Sequence, residues 1–442
     1  MKKNLIILLI IATAVISSCK KDDDTVFDKP VDERLNEKLN EYQNQLAGAQ
    51  NGWKGLLQTD SGRGSYHSFY FKFNNENRVW MLSDFDSPSA VTLKESSYRL
   101  KALQQIALIF DTYSYLHVLA DPDPTVNGGT LGAGLLSDFE FYFDDGTSAD
   151  TIRLTGRING SKMILVKATA AEATAYNSGQ LAAGLNINNI LTYFKRLTIG
   201  TQLYDVRIDP LTRQFTFSWL DGSGNLQTFT TSYYFVAGGI VFTTPLVNGS
   251  QTISGFSNIT WNASTETINL TVNGASATIT GIVVPLKVDT GAPRRWFNYA
   301  INNGNTYWIS ARGFHVNGVD DAFNVQSLKE GTYSYYFLMY WPRVTSSNDF
   351  FGPVFINATQ DSLDLFYGTA PTPNFTTDGR AVFIQLGNYG PPNFLTYPTT
   401  GPAALTRSQL YQAAGYYFVQ TGAATYDMVS ASDGKAWITW EF

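Results

Sequence analysis

"FYFKFNNENRVWML", residues 69–82, decides the fold class. Phe69, Phe71 and Phe73 alternate with Tyr70, Lys72 and Asn74, a period of two that sends one set of side chains to each face of a strand. "NNEN" then supplies turn formers and "RVWML" resumes the apolar pattern, so the stretch predicts a β-hairpin. Working outward, "ALIF" (107–110), "DFEFYF" (138–143), "TIRLTG" (151–156) and "KMILVKA" (162–168) read as further short strands separated by Asp, Asn, Gly and Ser. Upstream, "PVDERLNEKLNEYQNQLAGAQNG" (30–52) changes period: Leu35, Leu39, Tyr42 and Leu46 form the single stripe of an amphipathic helix. Pro30 suits its first turn, Asp32 and Glu33 its positive end, and Gly48 or Asn51-Gly52 its stop. A second helical pattern lies between residues 170 and 195.

The order then recurs. "QFTFSWLDGSGNLQTF" (214–229) answers the hairpin at 69–82, "SYYFVAGGIVFTT" (232–244) answers "SYRLKALQQIALIFDT" (97–112), and "TETINLTVNG" (265–274) answers "ADTIRLTGRING" (149–160). "PLKVDTGAPRR" (285–295) marks a boundary, after which "TYWISARGF", "YSYYFLMYW", "AVFIQL", "GYYFVQ" and "AWITWEF" are again strand-like, with one short helix near Thr406 to Ala414. The expected fold is mostly β: antiparallel β-sandwich or barrel-like modules with a leading amphipathic helix and a few short helices. The expected division is 1–18 signal peptide, 19–30 lipidated tether, 31–195 helix plus first β module, 196–285 second and related β module, and 286–442 aromatic-rich C-terminal domain.

Charged residues make up only 15% of the 442, and glycine plus proline, 37 and 16, hold an average share, so the chain should fold throughout. The N-terminus is a secretory signal: "MKKN", an apolar core from Leu5 to Ile16, then Ser17 and Ser18. Its core is too short to span a bilayer. Ile16-Ser17-Ser18-Cys19 resembles the bacterial lipobox, in which the cysteine is acylated and begins the mature protein; an ordinary secretory signal is the alternative. Cys19 is the only cysteine, so it closes no intramolecular disulfide, and as a palmitate-bearing lipid anchor it has a use. Lys20, Lys21, Asp22, Asp23 and Asp24 follow at once and resemble the surface-export signal of Bacteroidota lipoproteins; a solvated charged tether is the alternative. Without residues 1–18 the chain carries 29 basic against 37 acidic groups, or −8, which disfavours nucleic acid as a partner.

Catalytic templates are scarce. The three histidines, His67, His117 and His315, stand too far apart for a zinc pair, and His117 and His315, each beside apolar residues, read as packing residues. There is no Gly-x-Ser-x-Gly elbow and no phosphate loop, and "GAGLLS" (132–137) ends in Ser where a dinucleotide loop needs glycine. No cofactor is implied. A pair of carboxylates across a cleft, as glycosidases use, remains open. Asp121, Asp123 and Asn127 in "DPDPTVNGG" have the offsets of a calcium loop, but Thr125 and Gly132 stand where it needs further oxygen ligands, so a polar turn is the plainer reading; Asp320 and Asp321 read the same way. In "YSYYFLMYW", Tyr333, Tyr335, Phe337, Met339 and Trp341 should face one way and Tyr336, Leu338 and Tyr340 the other. Such rings fill a core or stack on sugars and peptide side chains, which makes Trp296, Tyr307, Trp308 and Trp341 the binding candidates.

"FDKPVDERLNEKLNEYQNQLAGAQNGWKG" (27–55), "FKFNNENRVWMLSDF" (71–85), "FDTYSYLHVLADP" (110–122), "SDFEFYF" (137–143) and "GFHVNGVDDAFN" (313–324) together resemble a family of Bacteroidota lipoproteins, domain of unknown function 4302. The resemblance implies a setting: a lipoprotein held in the outer membrane by its acyl chains, facing the cell exterior beside a TonB-dependent importer of the starch-utilisation type and its companion surface lipoproteins. It brings no catalytic residues. The expected role is a non-enzymatic accessory or ligand-binding component for glycan or peptide uptake; the alternatives are a surface hydrolase with a carboxylate pair, and a structural or adhesive surface protein.

Overall fold

The structure, a computed structural model, describes residues 29–102, 105–390 and 392–442. The signal segment 1–18, Cys19, and Lys20, Lys21, Asp22, Asp23 and Asp24 lie outside the described residues. No helix among those described is long and apolar enough to cross a membrane.

Strands dominate, and they close into barrels rather than sandwiches. In the first, eight strands from Trp53–Gln58 to Lys162–Lys167 pair each with the next, and the last pairs back onto the first from Trp53↔Lys167 to Gln58↔Lys162. The second runs from Phe194–Ile199 to Ala275–Ile282 on the same plan and closes through Ile282↔Phe194. From Trp308 onward eight strands again form a ring: Trp308–Ser310, Tyr333–Trp341, Phe350–Ile356, Gly368–Phe375, Arg380–Tyr389, Tyr416–Gly422, Thr425–Ser430 and Ala436–Glu441. It has two weak seams, joined in register only at Phe351↔Thr369 and at Ile309↔Glu441. Pro353, Pro371 and Pro373 lie in the strands of the first seam, and proline has no N–H to donate to a ladder.

Each barrel follows a helical segment: Val31–Ala47, then Ala170–Asn177 with Gln180–Leu185, then Ala292–Asn302. The first and third share a lock. The opening tryptophan of the first strand donates its indole N–H to a carbonyl of the preceding helix, Trp53 to Leu46 at 2.9 Å and Trp308 to Trp296 at 3.0 Å. Eight-stranded barrels are just wide enough for side chains to fill. Phe69, Phe71, Phe73, Tyr98, Phe110 and Phe141 fill the first. Gly55 belongs to that packing, because a Cβ there would meet the Phe71 ring at 2.5 Å. Phe215, Phe217, Phe242 and Phe256 fill the second. In the third, Trp296 packs against Trp308, Tyr340, Phe383, Phe418 and Trp440 from strands all round the ring.

The recurrence read from the sequence falls in part on equivalent strands. Residues 97–112 and 232–244 occupy the fourth and fifth strands of their barrels, and "TIRLTG" and "TINLTV" the seventh. The hairpins do not match: 69–82 covers strands two and three, 214–229 strands three and four. Aromatic alternation occurs in more than one hairpin of such a barrel, so it cannot fix rank.

Tyr335 also needs correction. A bulge between Tyr335 and Phe337 shifts the register, which turns Tyr335 to the side of Leu338 and Tyr340 inside the barrel, while Phe337, Met339 and Trp341 face outward.

Candidate functional site

With the barrels filled, open space lies between them. The junction of the first and second is closed by a polar clamp. Asp84, fully buried, accepts from Arg213 at 3.2 Å and from the Ser68 N–H at 2.9 Å, and the Ser68 hydroxyl donates to the Phe235 carbonyl. Burial pushes the Asp84 carboxyl up against the pull of Arg213. Ser65 Oγ stands 2.8 Å from His67 Nε2, which suggests a nucleophile and base, but His67 Nδ1 is 3.9 Å from Asp84, beyond a hydrogen bond, and that carboxylate is committed to Arg213. Burial and Arg213 hold the His67 imidazole well below its usual range.

The second and third barrels meet differently. Tyr193, just before the second barrel, donates its N–H to Gly434 at 2.7 Å and its hydroxyl to Asp427 at 2.6 Å, and Asp427 also accepts from Thr439. Around this joint lies a cleft of about 350 Å³ walled by Val206, Leu226, Pro285, Val288 and Phe418. Gln420 also borders a second hollow, lined by the outer face of helix Ala292–Asn302 with Arg294, Arg295, Asn298, Tyr299 and Asn302, and by the edge of the buried Tyr426. The two neighbouring hollows, with Gln420 in both walls, are together the trough.

Its charge is uneven. Two carboxylates line the cleft and both are taken, Asp205 by Arg196 at 2.8 Å and Asp289 by Arg295 at 3.0 Å. The cleft's Lys195, Arg207 and Lys287 have no carboxylate partner among the described residues; Lys195 donates to the Thr192 carbonyl at 2.6 Å and Lys287 to Gly224. Burial lowers the Lys195 ammonium to about 8. Burial also raises Asp205, although the Leu286 N–H and Arg196 oppose it, while hydrogen bonds from Arg295 hold Asp289 low.

The residues marked from sequence lie elsewhere. Trp296 and Trp308 are fully buried in the third core, so neither ring can meet a ligand. Tyr307 and Trp341 are half-buried on the outer face of that barrel, 5.4 Å apart, with Trp341 donating to the Asn305 carbonyl; neither lines the trough. Asp121, Asp123 and Asn127 spend their oxygens on their own loop: Asp121 accepts from the Asp123 N–H and Tyr113, Asp123 from Thr125, and Asn127 from Gly129. No cluster of three or more His, Cys, Asp or Glu able to hold a metal occurs among the described residues. The trough had a trace in the sequence. "PLKVDTGAPRR", read only as a boundary, contributes Pro285, Lys287, Val288, Asp289, Arg294 and Arg295 to it, a basic cluster in an acidic chain.

The profile of a domain of unknown function (DUF4302) matches residues 23–263, through the first barrel and most of the second. No curated protein matches the chain. Among solved structures, an octameric penicillin-binding protein homologue from Pyrococcus abyssi aligns at 12% identity over 33% of this chain and 36% of that one, with a TM-score of 0.15. This chain thus spans little more than a third of that protein. Transferrin binding protein B from Neisseria meningitidis aligns at 9% identity over 88% of this chain and 74% of its own, with a TM-score of 0.13. Likenesses this slight fix neither fold nor function.

Proposed function

This chain belongs to the DUF4302 family, and from that premise we propose that it is a lipid-anchored protein of the outer membrane, facing outward, that binds a nutrient ligand for a TonB-dependent importer without transforming it. The observation that carries the binding role is the trough between the second and third barrels, where apolar walls, tyrosine rings and polar groups without carboxylate partners converge in a chain whose barrel interiors are full. The Cys19 motif and the acidic run behind it support the location. The soluble chain from Lys20 onward, titrated against saccharide and peptide libraries for both binding and turnover, tests the role: saturable binding with no product is expected, and no binding in either library rejects it.

One observation favours a hydrolase as the second reading. Asp205 and Asp289 share the cleft with their protonation pushed in opposite directions, as an acid and base pair requires. Against it, each is held by an arginine. Turnover abolished by Asp205→Asn would establish this reading in place of the first.

A further inference from the structure

Resting on the binding role just proposed, we propose that the trough takes an acidic saccharide, a sugar chain bearing carboxylates such as uronates. The anionic requirement comes from cations left over. Lys195, Arg207 and Lys287 line one cleft and have no carboxylate partner among the described residues, while the cleft's two carboxylates are engaged by Arg196 and Arg295. A chain of net charge −6 that gathers three cations without carboxylate partners in one cleft creates a local field opposite to its overall charge, and such a field draws an anion in from solution.

The saccharide requirement comes from the other lining groups. Asn298 and Asn302, both exposed, offer amide donors and acceptors suited to sugar hydroxyls, and the half-buried Tyr299 offers part of a ring face for the apolar side of a sugar. A lone inorganic anion would use neither. Two neighbouring hollows of about 350 and 640 Å³ that share Gln420 in their walls also suit an oligomer better than a single small ion.

The test is calorimetric titration of the chain from Lys20 onward with tetragalacturonate, its neutral methyl ester, a tetraglutamate peptide and inorganic phosphate, at low and high salt. Tetragalacturonate should bind about tenfold or more tighter than the ester and weaken as salt rises. Arg207→Gln combined with Lys287→Gln, both exposed, should remove most of that preference at an unchanged melting temperature. Asn298→Ala should weaken the ester and the acid alike. Equal affinity for acid and ester would overturn the anionic assignment and leave the binding role standing. Tighter binding of tetraglutamate, or of phosphate alone, would overturn the saccharide assignment. Failure of all four probes overturns the proposal, and the wider library then decides whether the binding role falls with it.

Discussion

Lys195 shows most plainly how a residue can serve a site at the expense of the fold. Its ammonium is drawn down to about 8 by burial, whereas an unfolded lysine titrates near 10.5. Between those values the unfolded chain holds a proton the folded chain has lost, so stability from this group rises with pH across the window and its full cost is present below pH 8. Tyr193, Asp205, Arg207, Lys287 and Asp289 share its cleft, and Asp205 is held by Arg196. Lys195→Met should therefore stabilise the protein at pH 7, by on the order of 1 kcal/mol once its lost bond to Thr192 is counted, and the gain should shrink by pH 10. Urea unfolding of parent and variant at both pH values checks this; a variant less stable than the parent at pH 7 would show that the lysine is well solvated. None of this could be read from "YFKR" (193–196), because the burial of Lys195 depends on the third barrel more than 200 residues away.

At the scale of elements, the helix ending each linker stoppers the barrel that follows it. Trp296 and Trp308 are fully buried and bonded to each other through the indole N–H of Trp308. Replacing either with alanine should cost about 3–5 kcal/mol, while Trp341→Ala, on the half-exposed outer face, should cost under about 2 kcal/mol. Denaturant midpoints of the three variants decide, and equal losses would mean that the outer face is as tightly packed as the interior. Local period was a good guide here. The stripe of Leu35, Leu39, Tyr42 and Leu46 became the inward side of helix Val31–Ala47, and the alternation at Phe69, Phe71 and Phe73 became the wall of a barrel. It failed where one extra residue intervened, since the bulge near Tyr336 reverses the sides downstream and nothing in a run of aromatics announces it. Whether a sheet closes was equally hidden: alternation is the same in a sandwich and a barrel, and closure is decided by pairs such as Trp53↔Lys167.

For the whole molecule, the clamp between the first and second barrels should make them unfold together. Arg213→Met strands Asp84 in a fully buried place without its cation and should cost roughly 3–5 kcal/mol, splitting one thermal transition into two if the barrels are otherwise independent. A single transition at an unchanged temperature would show the clamp to be dispensable. Attachment should rest on Cys19 alone, because two or three acyl chains at ~0.8 kcal/mol per buried CH₂ make anchoring nearly irreversible. Cys19→Ala should release folded protein from membranes, read by fractionation after a salt wash; a variant that still sediments would defeat the lipoprotein reading. The weakly sewn third barrel has a consequence in time. Nearly every strand partner is the next strand along the chain, so most of each barrel can zip up over short loops and only the closing pair waits on a distant segment. In the first and second barrels that last step is sealed by six residue pairs, but in the third ring by Ile309↔Glu441 and by two pairs from the short strand His315–Val316. The docking of Ala436–Glu441 onto Trp308–Ser310 is then the slow pairing of that ring, and so thin a stitch is poised to breathe, so the amide protons at this edge should exchange with solvent before those at the six-pair closures of the first two barrels.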